Sequence, residues 1–304
     1  MQRHFLLVPA LALAAALQPH PAKAGHGRTA GRADIVTTAA RASEFSTLVR
    51  ALGAAELDGA LRGDGPLTVF APTDKAFSKL PRGTLESLLK PENRDQLRRV
   101  LLYHVVSGRL DADDVTRRPG AETLAGPRVA FSSNKRGVNI DDASVVKADI
   151  RTRNGIIHAI DEVLLPPDLD LVSTAAKAGT FDTLLAAASA AGLDDELRGD
   201  GPYTVFAPTD KAFDRLGRRT IKTLLEPENR DALRRVLANH IVHGRVYADE
   251  AARAGSARTA AHEKLRFGIR DGRLTVDGAS VLRSDIDARN GVVHVVDRVL
   301  VPES

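Results

Sequence analysis

The sequence predicts an exported chain built from two tandem copies of one α+β domain, and three observations carry that prediction. First, the run Leu61 to Phe77 returns as Leu197 to Phe213 with sixteen of seventeen residues identical, Leu67 against Tyr203 being the exception. The offset of 136 residues holds along the chain, taking His104 to His240, Asn154-Gly155 to Asn290-Gly291 and His158 to His294. A repeat of that length is a domain able to bury its own core, far beyond a solenoid unit. Second, within each copy the apolar spacing passes from about four residues to about two. Helices therefore come first and strands later, without β-α-β alternation, which is the pattern of an α+β domain. Third, Arg3 and His4 precede an apolar run from Phe5 to Leu17 and a small-x-small site, Ala22-Lys23-Ala24. That order is a secretory leader spanning 1–24, and its apolar run is too short for a bilayer.

Taken in order, cleavage after Ala24 leaves a mature start at Gly25 and a loose segment to Ala33. Phe45, Leu48, Val49 and Leu52 then recur at helical spacing behind Ser43, a suitable cap, and Phe181, Leu184 and Leu185 keep the stripe in the second copy. A Gly63-Asp64-Gly65-Pro66 turn introduces the β-branched and aromatic strand Thr68-Val69-Phe70. Pro72 ends the strand because it lacks a ladder donor. Thr73 is an N-cap with Asp74 in the first turn, where the helix dipole favours negative charge, and Thr209 and Asp210 repeat the arrangement. Phe77 falls at the fourth helical position, placed to staple against Pro72. Helix continues to Lys90, and Pro91 to Asp95 opens another with Leu97, Val100, Leu101 and His104 on one side. Beyond Gly108, strands are predicted at 129–131, 138–140, 145–146 and 156–165. Asn154-Gly155, like Asn290-Gly291, reads as a tight hairpin turn whose residues take positive φ. Pro166-Pro167-Asp168 is a short, stiff linker. The domains are therefore placed at 35–166 and 171–302.

The decapeptide Thr68 to Phe77, TVFAPTDKAF, resembles the first signature of the fasciclin-like domain family, and Asn154 to Asp161, NGIIHAID, resembles its second. Both recur in the second copy, so the resemblance covers nearly all of the mature chain. It implies a compact wedge of two small β-sheets packed at an angle, with helices along one side. It also implies a non-catalytic adhesion or binding module that acts at a cell surface or in the matrix around it. Because some relatives bind carotenoids, the resemblance also keeps open a soluble carrier of an apolar small ligand.

Composition narrows the partners. The net charge of +4 falls to +2 when Arg3 and Lys23 leave with the leader, too little for an electrostatic argument about nucleic acid. There is no cysteine, hence no disulfide and no cysteine for lipidation, and no later segment is apolar enough to span a membrane. Tryptophan is absent and tyrosine scarce, which disfavours a stacking platform. The expected location is secreted, periplasmic or extracellular, and the expected partner a cell-surface or matrix protein or polymer.

The candidate residues divide by chemistry. Family members are reported to use a tyrosine-histidine pair in adhesion, and Tyr103-His104 resembles it. The residue pattern itself favours a buried, hydrogen-bonded His104 closing its helix, with Tyr103 partly exposed as an amphipathic contact. The second copy has Asn239-His240 there, so the partner-binding candidates are Tyr103, His104, Asn239 and His240, and if the tyrosine-histidine pair carries adhesion the first domain should bind and the second act mainly as spacer and support. His158 and His294 sit in apolar strands as core or sheet-face histidines, with no second ligand at metal spacing. His240 and His243 are three apart, but residue 107 is serine, so no metal and no cofactor are expected. Arg62-Gly63-Asp64 and Arg198-Gly199-Asp200 read as turns into a strand rather than as an integrin tripeptide. Asp111 to Asp114 lacks the glycine and distal glutamate of a calcium loop, and no nucleophile elbow, phosphate loop or zinc-protease motif occurs.

Overall fold

The computed structural model describes residues 31–134 and 137–302. The predicted leader and its cleavage site lie outside the described residues. Each copy puts most of its helices first, with one more, Ala112–Thr116 or Ala248–Ala254, between its second and third strands. In the first domain the leading helices are Ile35–Arg41, Ser46–Ala54 and Asp58–Arg62, then Asp74–Ser78, Thr84–Leu88 and Arg94–Tyr103. Between and after them run β1 (Leu67–Pro72), β2 (Val105–Ser107), β3 (Gly120–Glu122), β4 (Arg128–Asn134), β5 (Gly137–Ile140), β6 (Ala143–Arg151) and β7 (Gly155–Ile160). The second domain repeats the set as β8 (Tyr203–Pro208), β9 (Ile241–His243), β10 (Ser256–Arg258), β11 (Lys264–Arg270), β12 (Arg273–Val276), β13 (Ala279–Ala288) and β14 (Gly291–Val296).

The two small sheets of the expected wedge are one sheet of seven strands, ordered β2-β1-β7-β6-β5-β4-β3. β6 joins its halves. Ala143 and Ser144 pair with β5, and the rest of the strand, bulged between Val145 and Ile150, pairs with β7. A Val106–Thr123 bridge brings β2 next to β3, so the sheet nearly closes on itself. The bulges supply the bend, since an extra residue sharpens the local twist of a strand.

The organising strand β1 lies parallel to β7, with Phe70 opposite His158. Both are buried on two faces, the expected consequence of a parallel pair covered on each side. Val69 and Ala71 of β1 and Ile157 and Ala159 of β7 meet Phe45, Leu48, Leu52, Leu97 and Leu101 of the helices. Phe70 and Ile160 face the other way, against Val106, Val129, Phe131 and Ile140 inside the curved sheet. The second domain divides in the same way around Val205 and Phe206. β7 ends at Ile160, shorter than the expected 156–165, because the chain then leaves the sheet to pass under a helix end.

Two local expectations change. Ser43 does not cap the helix Ser46–Ala54, since it begins a 3₁₀ turn, Ser43–Phe45. The helix is capped from a distance by Asp74, whose Oδ1 accepts the Thr47 N–H at 2.7 Å, and Asp210 does the same for Thr183 at 2.8 Å. The carboxylate thus serves a neighbouring helix as well as its own first turn. Thr73 and Thr209 cap as expected, accepting Ala76 N–H and Ala212 N–H. The β6–β7 hairpin exists, but neither Asn154 nor Gly155 has positive φ.

Candidate functional site

The repeated polar residues are built into the scaffold. Asn154 is buried, and its Oδ1 accepts the Ile35 N–H at 2.9 Å while its Nδ2 donates to Leu61 O and Gly63 O, each at 2.8 Å. Its side chain therefore ties the first helix and the third helix's end to the central strand, a job for which an amide with donor and acceptor on one fork is suited. Asn290 holds Leu171 N–H, Leu197 O and Gly199 O in the same way. Gly155 is required by close approach instead of turn geometry. A Cβ there would run into Leu67 O and press on Ile35 Cδ1, and at Gly291 into Tyr203 O and Leu171 Cδ1.

The four histidines are fully engaged. His104 Nδ1 donates to Val100 O at 2.8 Å and its Nε2 accepts Leu164 N–H at 3.0 Å, and His240 does the same with Val236 and Leu300. One N–H donated and one lone pair filled is the neutral ring. Burial, partly offset by the carbonyl bond, pulls both down to a pKa of about 4. With both nitrogens occupied, His240 has none left for a metal beside His243. His158 and His294 stack on Phe70 and Phe206 and meet the carbonyls of Leu110 and Val246 at 2.8 Å. Burial also lowers the His294 pKa.

Tyr103 corrects the expectation made for it. It is 4% exposed, not partly open. Its hydroxyl reaches Arg128 O at 3.1 Å and donates to Asp141 Oδ2 at 3.0 Å. The helix end is roofed by β4 and the β5–β6 turn, whose contact with it no local spacing reveals. Asn239 is buried too, donating to Leu300 O at 3.2 Å. The expected contrast in exposed area between Tyr103 and Asn239 is therefore absent.

What Tyr103 touches is the seam between the domains. The Arg128 N–H donates to the Tyr247 hydroxyl at 2.8 Å, and its guanidinium lies 5.0 Å above that ring. Arg128 also pairs with Asp249 at 2.7 Å, and Tyr247 donates to Asp287 at 2.8 Å. Burial raises the pKa of Asp141, and burial together with the nearby Asp141 pushes Asp287 up to about 6 despite Tyr247 and Arg245. Arg245 is held over the second hairpin by the carbonyls of Ala288, Gly291 and Arg289. Sequence reasoning missed Arg128, Tyr247, Asp249 and Asp287. A signal was present for three of them: the other copy has Lys264, Asp111 and Arg151 where these stand as Arg128, Tyr247 and Asp287, while Asp249 is matched by Asp113.

Arg62 and Arg198 are drawn back to Asp34 and Asp170 at 3.6 and 3.5 Å, while Asp64 and Asp200 are exposed beyond the helix ends. Between helices and sheet of the second domain lies an apolar hollow of about 40 Å³, reduced to about 10 Å³ in the first. Ala188 and Val293 line it where the first copy has Leu52 and Ile157. Among the described residues no group of three or more histidine, aspartate or glutamate side chains is placed to hold a metal, and no helix is long and apolar enough to cross a membrane.

Comparison with known proteins places this geometry. A sequence model described as the Fasciclin domain matches residues 43–166 and 179–302. The transforming growth factor-beta-induced protein ig-h3 of Sus scrofa is 32% identical over 248 residues, which is 80% of this chain and 36% of that protein. Protein sll1483 of Synechocystis is 50% identical over 133 residues, 44% of this chain and 73% of the relative. Human periostin is 28% identical over 85% of this chain and 30% of its own length. The chain thus spans about a third of the animal proteins it resembles. Among solved structures, the FAS1 domain pair from the insect cell adhesion molecule fasciclin I aligns over 87% of this chain and 95% of its own, with a TM-score of 0.43 and 17% identity.

Proposed function

The chain belongs to the fasciclin domain family, and from that membership we propose an exported, non-catalytic protein that binds at a cell surface or in the surrounding matrix. The observation that carries the reading is the engagement of the repeated polar residues. Asn154, His104, His158 and their counterparts are buried, and each polar atom they offer is bonded within the domain. Chemistry on a substrate needs such groups free at a cleft. Here they hold two stable platforms, and recognition falls to the outer surfaces. Two linked domains also favour binding by effective concentration when both engage.

Tyr103, His104, Asn239 and His240 act in this reading as supports for the binding surface. Their burial favours that role over direct contact. For carriage of an apolar ligand as long as a carotenoid, a hollow of about 40 Å³ is little more than the share of one water, about 30 Å³. Such a ligand would have to lie on the outside. Retention of the full mature chain on envelope or matrix material tests the proposal. Specific, saturable retention is expected. A colourless protein that washes off cells and matrix alike would overturn it, and a co-purifying chromophore would favour the carrier.

A further inference from the structure

The two copies differ in the charge on the outer face of one hairpin. In β10 to β12 of the second domain, Arg258, Lys264, Arg266, Arg270 and Arg273 are all exposed. The register sets Arg258 opposite Lys264 and Arg270 opposite Arg273. Alternation along β11 turns Leu265 and Phe267 into the core and leaves Lys264, Arg266 and Arg270 on the outside. The file from Lys264 to Arg270 is ~20 Å long at ~3.3 Å per residue.

None of the five cations has an ion-pair partner among the described residues, and only Arg258 makes a side-chain hydrogen bond, to His262 O at 3.4 Å. The acids nearby do not neutralise them. Glu263 is taken by Arg235 at 3.0 Å, and Asp277 Oδ1 accepts the Arg266 backbone N–H at 2.8 Å. Asp271 stands in the β11–β12 turn at the end of the file. The first copy has Glu122, Arg128, Ala130, Asn134 and Gly137 at these places. Of these Arg128 is spent on the seam. The first copy carries Lys135-Arg136 in the sequence between its two strands, but lacks the row of cations along the strands themselves.

We propose that this face binds a linear acidic polysaccharide whose charges are carboxylates. Four of the five cations are arginines, and a guanidinium fork matches carboxylate and phosphate oxygens bidentately, where an ammonium serves as a point charge. The face is flat at its middle, where Gly268 lies opposite Thr275, and it presents no aromatic ring on which bases would stack. Its outward positions carry no large apolar side chain of the kind that anchors a protein partner: Leu274 and Val276 point inward, and Ile269, 61% exposed, falls by alternation on the opposite side of the strand from Arg266 and Arg270. A row of separated charges without a pocket suits a repeating chain. The inference names a partner class for the adhesive reading above and rests on it.

The test is binding of the full mature chain to immobilised polygalacturonate, with dextran as the neutral control and heparin, duplex DNA and anionic lipid vesicles as competitors. Retention on polygalacturonate at low salt, absent on dextran and falling as salt rises, is expected. Arg266→Glu with Arg270→Glu and Arg273→Glu should weaken it about tenfold or more. The milder Arg→Gln set should weaken it less. Arg82→Glu with Lys90→Glu, on the first domain, should leave it unchanged. An unchanged thermal melt shows that the variants fold. Equal retention of the triple variant, or preference for DNA, sulfated polymer or vesicles over polyuronate, overturns the proposal, as does self-association competing for the face. If the chain ignores polyuronate yet adheres to native matrix, this inference fails and the adhesive reading stands. If it binds polyuronate but no native matrix, the face is right and the adhesive reading fails.

Discussion

Replacing Asn154 with alanine should destabilise the first domain selectively. The side chain is 3% exposed and makes three hydrogen bonds, to Ile35 N–H, Leu61 O and Gly63 O, spanning 119, 93 and 91 residues of sequence. Each such bond contributes about 1 kcal/mol net, and a buried N–H left without a partner costs a further ~1–3 kcal/mol, giving about 4–6 kcal/mol in all. Against a total of ~5–15 kcal/mol for a domain, that is a large fraction. At roughly 3 °C per kcal/mol, the first-domain transition should fall by about 12–18 °C. Scanning calorimetry of the full chain reads the shift, and hydrogen exchange at the Ile35 amide locates it. Asn154→Asp keeps the acceptor for Ile35 but sets a carboxylate against two carbonyls, so it should not rescue. Asn290→Ala should lower the second transition by a similar amount. A shift under ~3 °C in Asn154→Ala with binding lost would refute the scaffold role and make the residue a contact.

Val293→Ile, which installs the first copy's residue beside the hollow of about 40 Å³, should raise the second-domain melting temperature by a few degrees, since one buried methylene contributes ~0.8 kcal/mol. A lowered melting temperature would mean the hollow cannot accept it. Acid should destabilise both domains through His104 and His240. Their folded pKa of about 4 lies below the ordinary histidine value of 6.5, so the unfolded chain binds more protons between those values and stability falls as pH drops from about 6.5 to about 4. The two together contribute several kcal/mol, at ~1.4 kcal/mol per pKa unit. Phenylalanine or glutamine at both positions should flatten this part of a stability–pH profile, and an unchanged profile would place the titration elsewhere. Tyr103→Phe removes the hydroxyl that meets Arg128 O and Asp141, and should cost the first domain about 1–2 kcal/mol while leaving the second transition in place. Binding abolished in a Tyr103→Phe protein that melts normally would return Tyr103 to the list of contacts.

The duplication, the helix-then-strand order and the caps at Thr73 and Thr209 were legible because each is written in neighbouring residues. Spacing of apolar side chains sets the face of a helix, and proline ends a strand wherever it stands. The buried nature of His104 was also readable, from its place between Leu101 and Val105 at a helix end. Reasons that depend on distant chain were not readable. Asn154-Gly155 has the letters of a tight turn, yet Asn154 bonds to Ile35, Leu61 and Gly63, and Gly155 is small because β1 passes against it. Asp74 caps a helix that begins 28 residues earlier, and Tyr103 is closed over by strands that follow it. The joining of two small sheets into one depends on where β6 bulges, which alternation alone does not fix. The seam and the basic face appear only when the folded copies are compared. The same strand position holds Arg128 under Tyr247 in one domain and Lys264 open to solvent in the other, a difference made by which neighbour each face meets.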